Sequence, residues 1–259
     1  MTNPIGLYIH VPFCAKKCPY CDFYSLKYSE EDAVQYVNAV MRNIQKYRGE
    51  KISLDSIYFG GGTPSLLTPD KLGQIMESIS DSFVLLNPEI NIEVNPSLVN
   101  IEKLHALNEI GFNRISFGIQ SFNDNELKAL GRLHNSETAQ TAVINAEKAG
   151  FKNISADIML GINQQNLSSL YNTLNTVHAL PLTHISAYML KIEENTPFND
   201  EKIIAALPDE DTVSDLYLAC VERLLQMGFK QYEISNFSKF GFESRHNLHY
   251  WNCDEYIGI

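Results

Sequence analysis

Positive charge is scarce in this 259-residue chain: 20 Lys plus Arg face 31 Asp plus Glu, for a formal net charge of -11. An excess of that sign repels phosphate backbones and argues against a nucleic-acid partner. Long apolar runs are missing as well. Nowhere do about 18 apolar residues follow one another, and no basic-then-apolar leader precedes Tyr8, so neither a membrane span nor export is indicated and a cytoplasmic protein is expected. Low-complexity linkers are absent too, which favours one large domain, and the 44% of hydrophobic residues suffices to give it a full core. Cysteine is sparse and odd in number, five in all. In a reducing compartment that count speaks against a disulfide framework. Yet three of the five fall within CAKKCPYC, residues 14–21, and that cluster calls for metal or redox chemistry.

What the chain does contain is alternation. Short β-rich runs at 6–11, 56–59, 89–94, 113–119, 154–160, 184–190 and 231–234 are separated by periodic stretches such as 31–47, 69–79, 136–149, 167–179 and 209–227, each long enough for a crossover helix. Thr68-Pro69 reads as a helix start, and Gly111, Gly150 and Gly228 each follow a helix and precede a strand. The fold class is therefore α/β, with parallel strands and crossover helices closing wholly or partly into a TIM-like barrel whose chemistry sits at the carboxyl ends of the strands. Residues 1–235 are expected to form this domain. Residues 236–259 read as a Gly-, Asn- and aromatic-rich segment beginning a further C-terminal part. The cysteine run follows the first strand, where such a fold places its site.

Cys14, Cys18 and Cys21 have the spacing C-x3-C-x2-C. Three thiolates on one loop can hold three irons of a cubane and leave the fourth open to another ligand, whereas electron-transfer ferredoxins use four cysteines. A structural zinc is the bland alternative, although zinc favours paired Cys or Cys/His halves and the nearby His10 lies on the preceding strand. A reactive thiol pair tuned by Lys16 and Lys17 leaves three spaced sulfurs unexplained. Cys220, inside an amphipathic helix, reads as a small buried hydrophobe.

The three-cysteine spacing resembles that of radical S-adenosylmethionine (SAM) enzymes. YIHVPFCAKKCPYCDF (8–23), FGGGTPS (59–65), EVNP (93–96), RISFGIQSF (114–122), LGRLH (130–134), DIMLGI (157–162) and HNLHYW (246–251) extend the resemblance to the coproporphyrinogen III dehydrogenase-like subfamily. The resemblance implies a partial radical SAM barrel, a [4Fe-4S] cluster on Cys14, Cys18 and Cys21, and SAM chelating the open iron. It also places Gly61, Gly62 and Thr63 along the methionine end of SAM, Glu93, Gln120, Arg132 and Asp157 in contact with it, and Tyr8 and Tyr20 beside it. Taken singly, a glycine run after a strand is more often a turn, and each polar residue more often a surface group.

One departure separates subfamilies. Coproporphyrinogen dehydrogenases of this type carry a further cysteine two positions after the third, where this chain has Asp22-Phe23. Only seven residues precede Tyr8, without the long leading segment of the decarboxylases. Both features resemble the HemW-type haem chaperones, which implies haem as a third ligand and, as partner, a haem-accepting protein such as a membrane-bound respiratory enzyme. His246, in His246-Asn247-Leu248-His249-Tyr250-Trp251, is the expected haem ligand, since iron accepts a neutral imidazole and a flat macrocycle favours aromatic neighbours. His249 and Cys253 compete for that role, and the plain alternative is that His246 and Trp251 pack the tail onto the barrel. Oxidative decarboxylation of coproporphyrinogen III stays open as the enzymatic alternative, as does radical chemistry on another substrate. A homodimer also stays open. Relatives continue beyond Tyr256-Ile257-Gly258-Ile259 through a glycine-rich turn, so this chain is expected to lack a further C-terminal domain.

Overall fold

Helix punctuation explains where the elements start. In the computed structural model, which describes residues 3–259, an oxygen-bearing side chain accepts the orphan N–H groups of each long helix: Ser29 for α1 (Glu30–Gln45), Thr68 for α2 (Pro69–Ser82), Asn100 for α3 (Ile101–Ile110), Asn135 for α5 (Ser136–Lys148), Asn166 for α6 (Leu167–Ala179) and Asp209 for α8 (Glu210–Gln226). Pro69 takes the first helical position of α2, where a missing N–H costs nothing. Short helices α4 (Asp124–Ala129), α7 (Glu201–Ile204) and α9 (Arg245–Trp251) complete the set, the last capped by Ser244.

The strands are β1 (Ile5–Val11), the short pair β2 (Phe13–Cys14) and β3 (Leu26–Lys27), β4 (Ser53–Gly61), β5 (Val84–Val94), β6 (Arg114–Gln120), β7 (Asn153–Leu160), β8 (His184–Met189), β9 (Lys230–Gln231), β10 (Asn236–Ser238) and β11 (Tyr256–Gly258). Nine of them form one sheet in the order β11-β1-β4-β5-β6-β7-β8-β10-β9. Pairing is parallel from β11 through β8. The strand expected at 231–234 is a correction: the chain turns there, and β9 and β10 flank that turn as antiparallel additions to β8. The turn is held by the Glu233 carboxylate, which accepts from Ser235 N at 2.8 Å. Residues 236–259 contribute β10, α9 and β11, and both strands join the same sheet.

Alternation sends successive side chains to opposite faces. Ile92 and Val94 of β5, Ile115, Phe117 and Ile119 of β6, Ile154, Ala156 and Ile158 of β7, and Ile185 and Ala187 of β8 share one buried apolar core with helix residues such as Leu72, Ile75, Leu104, Leu107, Val143, Leu174 and Leu224. The intervening residues meet one another on the other face. Register sets Glu93 beside Ser116, Ser116 beside Ser155 and Ser155 beside His184, with Gly118, Asp157, Ser186 and Asn236 in the next row. Barrel interiors are usually filled with branched aliphatic side chains. This one is tied by hydrogen bonds instead: Ser116 donates to Asn91 at 2.9 Å, Ser155 pairs with His184 at 2.8 Å, Ser186 donates to Asn236 at 2.7 Å, and Arg114 donates to Asn153 at 2.7 Å.

Candidate functional site

The loop that carries the cysteines leaves β1 and is pressed against the end of β4. Gly62 makes that approach possible, because a Cβ there would meet the Phe13 carbonyl oxygen at 2.5 Å and the Phe13 nitrogen at 2.9 Å. Gly61 lies against the His10 ring at φ 108°, in the left-handed region that glycine occupies freely. The contact is then stitched by backbone bonds, Gly62 N to Val11 O at 2.8 Å and Thr63 N to Phe13 O at 2.6 Å. The glycine run thus has a packing function: all three N–H groups of Gly61, Gly62 and Thr63 already have protein partners, the first on Glu93 at 3.1 Å. A ligand beside them meets carbonyls and bare Cα atoms.

Cys14, Cys18 and Cys21 are half-buried free thiols. All three open into one cavity of about 830 Å³, counting its mouth, together with Tyr20, Gly61, Gly62, Thr63, Glu93, Gln120, Arg132 and Asp157. Every sequence-expected residue except Tyr8 and His246 is therefore brought together at the carboxyl ends of β4 to β7. Gln120 arrives by a strained route: β6 shifts register between Gly118 and Gln120, and Gln120 sits at φ 75°, which few non-glycine residues adopt. Tyr188 then fixes its amide, donating to Oε1 at 2.7 Å.

Charge in the cavity is poorly compensated. Burial pushes the Glu93 carboxyl up to about 7, helped by the neighbouring Asp157 and opposed by hydrogen bonds from Tyr58 (2.8 Å) and Gly61 N. Asp157 is pushed up to about 6 by burial, against the lowering effects of Ser186, Arg114 and Arg132. Arg132 donates through Nη1 to Cys18 Sγ at 3.3 Å and through Nη2 to Gly118 O, while its buried Nε has no partner. Burial also pushes the Cys21 thiol up, so that sulfur is not a strong nucleophile on its own.

This donor set fits a [4Fe-4S] cluster with a zwitterionic, hydroxyl-bearing ligand beside it. Three soft thiols face one space, two carboxyls raised by burial line it, and a guanidinium nitrogen lacks an acceptor. Among the described residues no three His, Cys, Asp or Glu side chains converge as the ligands of one ion. Thiolates that each hold a different iron have no need to.

The Radical SAM superfamily model matches residues 8–177. This chain belongs to the radical SAM superfamily, on its HemW branch. It is 37% identical, across 99% of its length and 68% of the relative's, to "Heme chaperone HemW" of Haemophilus influenzae, and 38% identical to the protein of that name from Bacillus subtilis, across 97% of this chain and 68% of that one. The Escherichia coli protein is 36% identical over 99% and 68%. Among solved structures, coproporphyrinogen III oxidase (HemN) from Escherichia coli superposes with a TM-score of 0.84 over 99% of this chain and 63% of that one. At 23% identity that likeness shows the shared partial-barrel fold. The chain thus spans about two thirds of the length of these relatives. Radical SAM membership carries a [4Fe-4S] cluster and SAM as cofactors.

The residues outside the cavity form a second polar cluster toward the other end of the same strands. His246, in α9, is 1% exposed, with Nδ1 on Ser56 Oγ at 3.0 Å and Nε2 on the Tyr250 hydroxyl at 2.8 Å. Its ring stacks on Tyr58 and Tyr8, with centroids 5.3 and 6.1 Å away. Burial, with a smaller effect from His249, pulls its pKa down to about 3, so the imidazole is neutral. Tyr8 itself bonds His10 Nδ1 at 3.1 Å. His249 is buried and bonded to Asp55 at 2.8 Å, Cys253 is exposed, and Cys220 is a buried apolar residue whose thiol burial pushes up to about 12.

Several residues of these sites escape a motif-by-motif reading. Tyr188 lines the cavity, Tyr58 holds Glu93, and Ser56 holds His246. Period-two counting would have found them: Tyr188 follows His184 and Ser186 on one face of β8, and Ser56 and Tyr58 alternate on β4.

Proposed function

We propose that this chain is a haem chaperone that holds a [4Fe-4S] cluster and SAM in the cavity, binds haem, and delivers it to an accepting haemoprotein. The observation that carries this reading is the 36–38% identity to proteins named HemW across nearly the whole chain. Asp22-Phe23, in place of a fourth cysteine, supports chaperone over decarboxylase.

Cys14, Cys18 and Cys21 would each hold one iron, leaving the fourth for SAM. Bound together, a reduced cluster and SAM supply one-electron chemistry that belongs to the cofactors. The protein's share is binding and shielding. Arg132 offers its free Nε and its Nη groups to a carboxylate. Glu93 and Asp157 accept from hydroxyl or amino groups, which favours their ionised forms, and Gln120 is held ready by Tyr188. Gly61, Gly62 and Thr63 let a ligand lie against bare backbone, while Tyr20 closes the wall beside Arg132. Tyr8 acts from behind, bracing His10 and Tyr58.

Haem is assigned to the corner built by His246, Tyr250 and Trp251, so that residues 1–235 carry the cluster and SAM and residues 236–259 carry the haem-facing side chains. The acceptor we have in mind is a membrane-bound respiratory haemoprotein, approached from the cytoplasm. None of the helices among the described residues is long and apolar enough to cross a membrane. Titration of the anaerobically reconstituted chain with haem tests the reading: saturable binding near one haem per chain is expected, and absorbance that only adds to that of free haem would refute it.

A further inference from the structure

Three side chains of the haem-facing corner form a hydrogen-bonded row that runs from the sheet interior to solvent. Ser56 on β4 is fully buried, His246 is 1% exposed and Tyr250 is 38% exposed. His246 and Tyr250 are four residues apart on α9, which puts them on one face of the helix. Both imidazole nitrogens are occupied, Nδ1 by Ser56 and Nε2 by Tyr250. The ring is crowded as well: Tyr58 and Tyr8 stack beside it, themselves 6.1 Å apart, and a Cβ at Gly6 would already meet Nδ1 at 2.9 Å. A metal approaching from outside meets Tyr250 before it meets His246.

The neighbours of Tyr250 suit a macrocycle better than those of His246. Trp251 is 58% and Tyr256 51% exposed, and Tyr256 stands edge-on to Tyr250 with centroids 4.9 Å apart. An exposed aromatic ring, Tyr256, thus borders the phenol, and Trp251 follows it directly on α9. Of the rival ligands, His249 is 7% exposed and bonds Asp55 through Nε2, while Cys253 is exposed and sits in a left-handed turn at φ 56°, its N–H donated to Tyr250 O.

We propose that Tyr250 makes the bond to ferric haem iron and that His246 is a positioning residue that hydrogen-bonds the resulting phenolate; the assignment rests on the haem-handling reading. Tyrosine is an established proximal ligand for ferric haem, and a bound cation stabilises the deprotonated oxygen. The iron–Oη bond forms, the Oη–H bond breaks, the iron stays ferric and one proton leaves to solvent. The imidazole keeps a single proton, now on Nε2 and donated to the phenolate. Nδ1 then accepts from Ser56, whose hydroxyl can donate as well as accept. Neither step places a charged imidazolium in the buried row.

Ferric haem titration of the anaerobically reconstituted full chain separates the alternatives by sign. Tyr250→Phe keeps the ring and its packing but removes the oxygen, and should weaken binding by more than the roughly 10–100-fold typical of losing an outer-sphere partner, with loss of the phenolate-to-iron charge-transfer band. His246→Gln keeps a donor toward the phenolate and should weaken binding less, with that band retained. If His246 is the ligand, Tyr250→Phe uncaps Nε2: affinity holds or rises, the spectrum is that of an imidazole adduct, and His246→Gln loses it. That pattern overturns the assignment while leaving the haem-handling reading intact. Wild-type chain that binds no haem at all overturns both.

Discussion

The two faces of the central sheet are made from the same strands and do opposite work. On the outer face Ile92, Ile115, Phe117, Ile154 and Ile185 are almost wholly excluded from water and belong to one apolar core. On the inner face the alternate positions read Asn91, Glu93, Arg114, Ser116, Asn153, Ser155, Asp157, His184 and Ser186, most of them bonded across the rows, as Arg114 is to Asn153, Ser116 to Asn91 and Ser155 to His184. Burial is complete on the outer face and partial at Glu93, Asn153, Asp157 and Ser186 on the inner one, and its consequence differs. Outside, each buried carbon gains by leaving water. Inside, each buried polar group only avoids a loss if its partner is present. The difference teaches where function can reside: the inner face has groups to spare at its upper end, Glu93, Asp157 and the Nε of Arg132, and at its lower end the row that ends in Tyr250.

Breaking the outer face should cost most. Phe117→Ala removes a ring that is 0% exposed and should lower stability by about 3–5 kcal/mol in urea unfolding of the cluster-free chain. The inner network should be weaker per residue. Asn153→Ala deprives the fully buried Arg114 of its 2.7 Å acceptor and removes a donor to Glu89, and should cost about 1–3 kcal/mol. Equal costs for the two would mean that the inner network is as much a structural core as the outer one.

At the cavity end the polar groups should cost stability rather than add to it. Glu93 has its folded pKa raised from the ordinary 4.5 to about 7. Between those values the folded chain binds more protons than the unfolded one, so stability present at low pH is lost as pH rises through about 7. The slope contributed is at most about 1.4 kcal/mol per pH unit. Thermal melts of the cofactor-free chain from pH 5 to 8 should show this decline, and Glu93→Gln should flatten it. An unchanged slope in the variant would place the titration elsewhere. The smallest effect on folding should come from the cysteines: replacing Cys14, Cys18 and Cys21 together with Ala should shift unfolding by no more than about 0.5 kcal/mol, yet abolish iron-sulfur absorbance after reconstitution. Zinc in place of iron in the native protein would contradict the cluster assignment.

Local pattern carried most of the scaffold. The expected strands at 6–11, 154–160 and 184–190 match β1, β7 and β8 to within a residue, because alternation and helix punctuation act over a few positions. The strand expected at 231–234 is a turn from 232 to 235, since its Tyr and Ile have strand propensity but its backbone is held by the Glu233 side chain. The three-residue β11 leaves too short a signal to see, and it is defined by its parallel pairing with Gly6 to Tyr8. Within the site, the cysteines, glycines and acids stood out as motifs, whereas their contacts did not. Gly62 is required by Phe13, 49 residues away, and His246 is held by Ser56 across 190 residues. Such partners are chosen by register and packing. For the same reason His246 looks like an open ligand in HNLHYW and is closed on both nitrogens once folded.

The central claim, that the polar inner face serves haem handling with a SAM-bound cluster rather than porphyrinogen oxidation, is tested most directly by one parallel measurement. Anaerobically reconstituted, reduced chain is incubated with SAM and either haem or coproporphyrinogen III, scoring stable haem binding against decarboxylated product. The account predicts a stable haem complex and no porphyrinogen turnover. Turnover of coproporphyrinogen III without stable haem binding would contradict it.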